Sequence, residues 1–156
     1  MGAMTGDAAH IRFMTASGAH LVLRLETDIK GQPELLLTGN RSGVLSLANV
    51  LLWLHATAYR REFLSLGELP FIETQGDVTL HIRVSSGAAT GQHGAVQKLD
   101  RGAEFEWTIQ DEDLQIVGLC VNQLAAMPER EYTRLQMESE SAAGIHIRMM
   151  DVHQWL

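Results

Sequence analysis

The tripeptide His-Ile-Arg stands three times in this chain, at residues 10–12, 81–83 and 146–148. With seven His in 156 residues, composition alone yields only about 0.02 such tripeptides. Each copy opens an apolar–polar alternation, Ile11 and Phe13 against Arg12, Ile82 and Val84 against Arg83, Ile147 and Met149 against Arg148. Such alternation is the period of a half-buried β-strand. A strand that recurs with its neighbours constrains the chain to an internally duplicated fold.

The neighbours recur as well. A shift of 69 residues carries Ser42 onto Asp111, Leu45 onto Leu114, Leu47 onto Ile116, Val50 onto Leu119 and Ala56 onto Ala125. Ser and Asp are both good N-caps, because their side-chain oxygens accept an otherwise orphan backbone N–H. Helices are therefore expected over residues 42–57 and 111–126. Before the first helix, Leu21, Leu23 and Leu25 alternate with Val22, Arg24 and Glu26, and residues 34–38 form another strand after the Gly31-Gln32-Pro33 break. Ser17-Gly18 reads as a hairpin turn between the strand at residue 10 and the one at residue 21. Residues 85–103 carry Gly87, Gly91, Gly94 and Gly102 and read as a long loop with a short strand near 95–99.

The fold expected is α+β, an antiparallel-rich sheet with two helices on one face and an internally duplicated strand-helix-strand-strand unit. Residues 1–9 read as a flexible leader. Residues 10–156 form a single domain of two pseudo-repeats, about 10–80 and 81–145, followed by a C-terminal strand. The first helix is apolar nearly all round, from Val44 to Leu54, with only Ser46 and Asn49 as a polar stripe. It is either central in the fold or turned toward a second subunit, and a homodimer is expected on the latter reading.

Composition narrows the partners. The formal net charge is −7, with Lys and Arg together numbering 12. Nucleic acid is not expected as a partner, since binding it takes an excess of cations to displace counterions. The apolar run at 44–54 is too short to span a bilayer. One cysteine, Cys120, leaves no internal disulfide and fits the cytoplasm.

The strand period places His81 with Arg83, and His146 with Arg148, on faces opposite the apolar residues. His10 and Arg12 repeat the pattern. Together His10, Arg12, His81, Arg83, His146 and Arg148 are the candidate ligand site, because Arg offers paired donors to phosphate or carboxylate. A metal is not expected there, since the three Arg would raise the cost of holding a dication. No cofactor motif and no catalytic constellation stands out, so the chain reads as a non-enzyme. The paired histidines resemble those of the two-histidine phosphoesterases, yet Arg83 and Arg148 stand where those enzymes carry a hydroxyl residue.

The run Gly39-Asn40-Arg41-Ser42-Gly43-Val44-Leu45-Ser46-Leu47-Ala48-Asn49 resembles the strand-to-helix junction of some small bacterial immunity proteins of polymorphic toxin systems. That resemblance implies a cytosolic protein that binds and blocks a toxin without catalysis. The duplicated outline is also similar to small-molecule-binding domains built from two βαββ units. The function expected is thus a non-catalytic binding protein, a protein-interaction or immunity-type module. The alternative is an anionic-ligand-binding protein or phosphoesterase using the His/Arg face.

Overall fold

The computed structural model describes residues 11, 12, 14–27, 30–56, 63–86, 88, 92–99, 102–126, 132–134 and 144–149. The expected leader at 1–9 and His10 lie outside them. The fold is α+β. In chain order the elements are β1 (Leu21–Thr27), β2 (Pro33–Gly39), α1 (Arg41–Ala56), β3 (Phe63–Ser65), a 3₁₀ turn (Leu66–Glu68), β4 (Ile72–Thr74), β5 (Thr79–Ser85), β6 (Ala95–Lys98), β7 (Glu104–Gln110), α2 (Asp111–Ala126), β8 (Tyr132–Arg134) and β9 (Gly144–Met149).

The strands divide between two sheets, ordered β4-β1-β2-β9-β8 and β3-β5-β7-β6. Both are mixed rather than antiparallel: β2 with β9, and β5 with β7, run parallel at the heart of each. The sheets share one pairing scheme. Exchanging β1 with β6, β2 with β7, β3 with β8 and β5 with β9 turns one sheet into the other, leaving β4 as an extra edge strand. The register follows suit. Arg83 stands opposite Thr108 and Phe63, while Arg148 stands opposite Thr38 and Tyr132.

The exchange relates strands within residues 21–85 to strands within residues 95–149, on either side of the glycine-rich segment. In each part a hairpin enters one sheet, a helix follows, and two later strands, β3 and β5 in the first part and β8 and β9 in the second, join the other sheet, while β4 returns beside β1. The His-Ile-Arg strand therefore closes each part instead of opening it.

The first His-Ile-Arg copy departs from the strand expectation. Ile11, Arg12 and Met14 are helical. The segment packs on α1 instead: Ile11 is buried, Ala16 N–H donates to Ser46 Oγ at 2.8 Å and Asn49 Nδ2 donates to the Met14 carbonyl at 3.3 Å. The two polar residues of the first helix thus satisfy backbone groups of a docked segment rather than facing water.

Asn40, not Ser42, caps α1. Its Oδ1 accepts from Gly43 N–H at 2.8 Å and from His20 N–H at 3.2 Å, and its Nδ2 donates to the Gly18 carbonyl at 2.8 Å. The chain passes so close here that a Cβ on either Gly39 or Gly43 would collide with the His20 carbonyl oxygen. The glycines flanking Asn40 are thereby explained by packing.

The two helices lie antiparallel and are joined at both ends. Arg41 donates to the Ala125 carbonyl, where a cation also complements the α2 C-terminal dipole, at 2.6 Å. His55 Nδ1 lies 2.7 Å from Asp111 Oδ1 at the α2 N-terminus. Val44, Leu47, Ala48, Val50, Leu51 and Leu54 of α1 all enter one core with Leu21, Leu35 and Ile147 of one sheet and Leu80, Phe105 and Trp107 of the other. Its all-round apolarity therefore follows from a central position within the chain.

Candidate functional site

The outer face of the four-stranded sheet carries the one His/Arg pair whose side chains are described. In β7 the residues Phe105, Trp107 and Ile109 turn inward, which leaves Glu104, Glu106, Thr108 and Gln110 half-exposed outside. In β5 the same alternation buries Leu80, Ile82 and Val84 and puts Thr79, His81, Arg83 and Ser85 outside. The parallel register sets these two rows side by side.

His81 and Arg83 each already hold a carboxylate. His81 Nε2 lies 2.8 Å from Glu104 Oε1, and Arg83 Nε donates to Glu106 Oε1 at 3.1 Å. Phe63, on the neighbouring β3, stacks on the His81 ring at 5.2 Å between centroids and lies 5.2 Å beneath the Arg83 guanidinium. Cross-strand pairs of this kind each contribute about 0.2–1 kcal/mol. The pairing also removes the positive field that an incoming phosphate or carboxylate would need.

His81 is poorly placed for proton transfer. Its Nε2 is occupied by Glu104, and its Nδ1 is buried without a hydrogen-bond partner. A general acid or base must present a ring nitrogen to its substrate. Neither nitrogen of His81 does so.

The other candidate residues do not assemble with this pair on one sheet face. Arg12 is exposed on the helical segment before β1. His146 and Arg148 occupy register positions in β9 of the five-stranded sheet, beside Leu36 and Thr38; their side chains lie outside the described residues. On that row of β2, Leu36 and Thr38 are both buried, and nearby Arg24 pairs with Glu26 at 3.0 Å. Among the described residues no group of three or more His, Cys, Asp or Glu is arranged to hold a metal ion. No helix there is long and apolar enough to cross a membrane.

Two features escaped sequence reading. The first is the acidic row Glu104 and Glu106, whose alternation with Phe105 and Trp107 was legible but whose place beside β5 was not. The second is on α2. Its buried stripe is Leu114, Val117, Val121, Leu124 and Ala125, which leaves Ile116 and Leu119 outside it, 45% and 49% exposed. Both positions fall off the buried stripe on a helical wheel, a signal the one-dimensional apolar run conceals.

At the start of α2, Asp113 is buried in the first turn, where the helix dipole favours a carboxylate. It also faces His93, whose imidazole burial pushes below its ordinary value while the Asp113 charge partly offsets that shift. His93 belongs to the glycine-rich segment, and its carbonyl accepts the Trp107 indole N–H at 2.8 Å. Gly94 lies under the same ring: a Cβ there would meet Trp107 Nε1 at 2.7 Å and the Thr108 carbonyl at 2.5 Å. This stretch is thus anchored to β7 around residues 93–98. No protein-family model, no curated protein and no solved structure matches this chain.

Proposed function

We propose that this chain is a non-catalytic protein-interaction module of the immunity type, acting in the cytoplasm by occupying a partner protein. The observation that carries this reading is the pair Ile116 and Leu119, exposed one turn apart on α2. Large apolar side chains set together outside the core commonly mark contact surfaces. The His/Arg face supports the same reading from the other side, since His81 and Arg83 are already paired with Glu104 and Glu106. We further infer that the shared pairing scheme descends from duplication of one β-β-α-β-β unit.

The test is co-expression with the protein encoded by the neighbouring gene. Co-purification and relief of that protein's toxicity, both lost in Leu119→Asp, are the expected results. A thermal-shift screen with inorganic phosphate, nucleotides and dicarboxylates is expected to give no stabilisation. A strong shift that disappears in His81→Ala or Arg83→Ala would overturn the proposal in favour of a ligand-binding or phosphoesterase role.

A further inference from the structure

We infer that the outer stripe of α2 seats a short helical segment of a partner protein, one that sets apolar side chains on Ile116 and Leu119. This inference rests on the protein-interaction reading and adds the shape and polarity of what the partner inserts.

The two helices correspond position for position. Thr38 and Thr108 hold the same register opposite the arginine of a His-Ile-Arg strand, and each stands three residues before its helix. A shift of 70 residues therefore carries α1, from Arg41, onto α2, from Asp111. Under that shift core positions coincide: Val44 with Leu114, Leu47 with Val117 and Leu51 with Val121 are buried in both. The same shift sets Ile116 at the place of Ser46, Leu119 at that of Asn49 and Cys120 at that of Val50.

On α1 those places are covered by the chain itself. Ser46 accepts the Ala16 N–H, Asn49 donates to the Met14 carbonyl, and Ile11 is buried in the same contact. Ser46 is consequently 0% exposed where Ile116 is 45% exposed, and Val50 is buried where Cys120 is half-exposed. On α2 the chain has no counterpart to offer. The stretch leading into β6, as residues 11–16 lead into β1, holds no large apolar side chain between Val84 and Val96, and Val84 is already buried in β5. One seat is thus filled from within and its equivalent stands open. The open seat also adjoins α1, because half-exposed Leu52 lies directly against Gly118.

The residues of the seat decide what fits it. Ser46 and Asn49 hold backbone groups of the segment that covers them. Ile116 and Leu119 offer no hydrogen bond, so any backbone set on them must satisfy its N–H and C=O groups internally, as a helix does. The residues of such a helix that meet the stripe are apolar and three or four apart, the spacing that brings side chains onto one face. Ile11 and Met14, both helical, show that spacing in the segment on α1. Gln115 and Gln123 are exposed on either side of the apolar pair, and their amides serve polar residues at the edges of the inserted helix.

The probe is an alanine-based helical peptide with Ile and Met placed three and four residues apart on one face, against a scrambled peptide of the same composition. Binding to the full chain is followed by fluorescence anisotropy and by maleimide alkylation of Cys120. The patterned peptide is expected to bind and to slow that alkylation, and the scrambled one to do neither. The double variant Ile116→Ser/Leu119→Asn, which gives α2 the pair that α1 carries, is expected to weaken binding at least tenfold. Leu119→Gln should weaken it several-fold and Arg83→Ala not at all, with circular dichroism confirming that each variant folds. Absence of binding, equal binding of the two peptides, or unchanged binding in the double variant overturns the inference. So does a dimer seen by light scattering that the double variant dissociates, which would assign the stripe to a second copy. If the neighbouring gene product co-purifies with wild type and double variant alike, this surface is wrong while the interaction reading survives. If it co-purifies with neither and no peptide binds, both fall.

Discussion

The side chain of Leu52 on α1 rests against Gly118 of α2, so closely that a methyl group at Gly118 would stand 2.7 Å from Leu52 Cδ2. Alanine at Gly118 is favoured by helix propensity by about 1 kcal/mol, yet overpacking costs about 1–3 kcal/mol. Gly118→Ala is therefore expected to lower stability by about 1 kcal/mol in urea unfolding. Combined with Leu52→Ala, the loss should be smaller than the sum of the two, with a coupling of about 0.5–3 kcal/mol. Strict additivity would show that the helices do not meet at this point.

Asn40 gathers three hydrogen bonds that tie the segment before β1 to the start of α1. Asn40→Ala is expected to cost about 2 kcal/mol, at the upper end for a cap residue. Asn40→Asp keeps both accepting contacts and loses only the donation to Gly18, so its loss should be smaller. Ser42→Ala should change little by comparison. If Ser42→Ala proves the more damaging, the helix starts where the sequence pattern placed it.

The glycine-rich segment is held by Trp107 and Gly94. Trp107→Phe removes the indole donor to the His93 carbonyl, with an expected loss of about 1 kcal/mol for the hydrogen bond. Faster amide exchange at residues 94–98 should accompany it. Gly94→Ala combines a φ of +90° with contacts below 3 Å, so a loss of about 2–4 kcal/mol is expected. Near-neutral behaviour at Gly94 would place this segment away from the Trp107 ring.

Acidification gives a signed test at His93. Burial lowers its proton affinity in the folded state relative to the ordinary histidine value of 6.5. Below that value the unfolded chain binds the proton first, so the native state loses stability as pH falls from about 6.5 toward the folded value. Asp113 works against this shift and limits it. His93→Gln should flatten the pH dependence of the unfolding midpoint in that window. An unchanged slope would mean the imidazole is solvated alike in both states.

Local structure was largely legible and long-range pairing was not. The helix over residues 111–126 follows from apolar spacing and its acidic first turn, and the hairpin strands β1 and β2 follow from leucine alternation and the Gly31-Gln32-Pro33 break. The α1 cap was misplaced by two residues, because Asn40 and Ser42 are both good caps and only the approach of His20 distinguishes them. The candidate site fared differently. Strand period put His81 and Arg83 on an outer face, as the burial of Leu80, Ile82 and Val84 agrees. What one dimension hides is that β7 brings Glu104 and Glu106 alongside them, and that residues 146 and 148 join another sheet. The first copy differs: Ile11, Arg12 and Met14 are helical and their segment docks on α1, a packing that the local alternation does not signal.

The crossing of terminal strands between the sheets bears on how the chain is made. β2 is complete at Gly39, while its parallel neighbour begins at Gly144. At bacterial-to-eukaryotic translation rates of roughly 5–20 residues per second, β2 waits about 5–20 s on the ribosome for that neighbour. During this interval one leucine-rich edge, Leu35 to Leu37, stands open to chaperones or to a neighbouring nascent chain. Maturation of the five-stranded sheet is thus deferred until residues 144–149 have been made, and a polypeptide released before residue 144 would emerge with that edge unsealed.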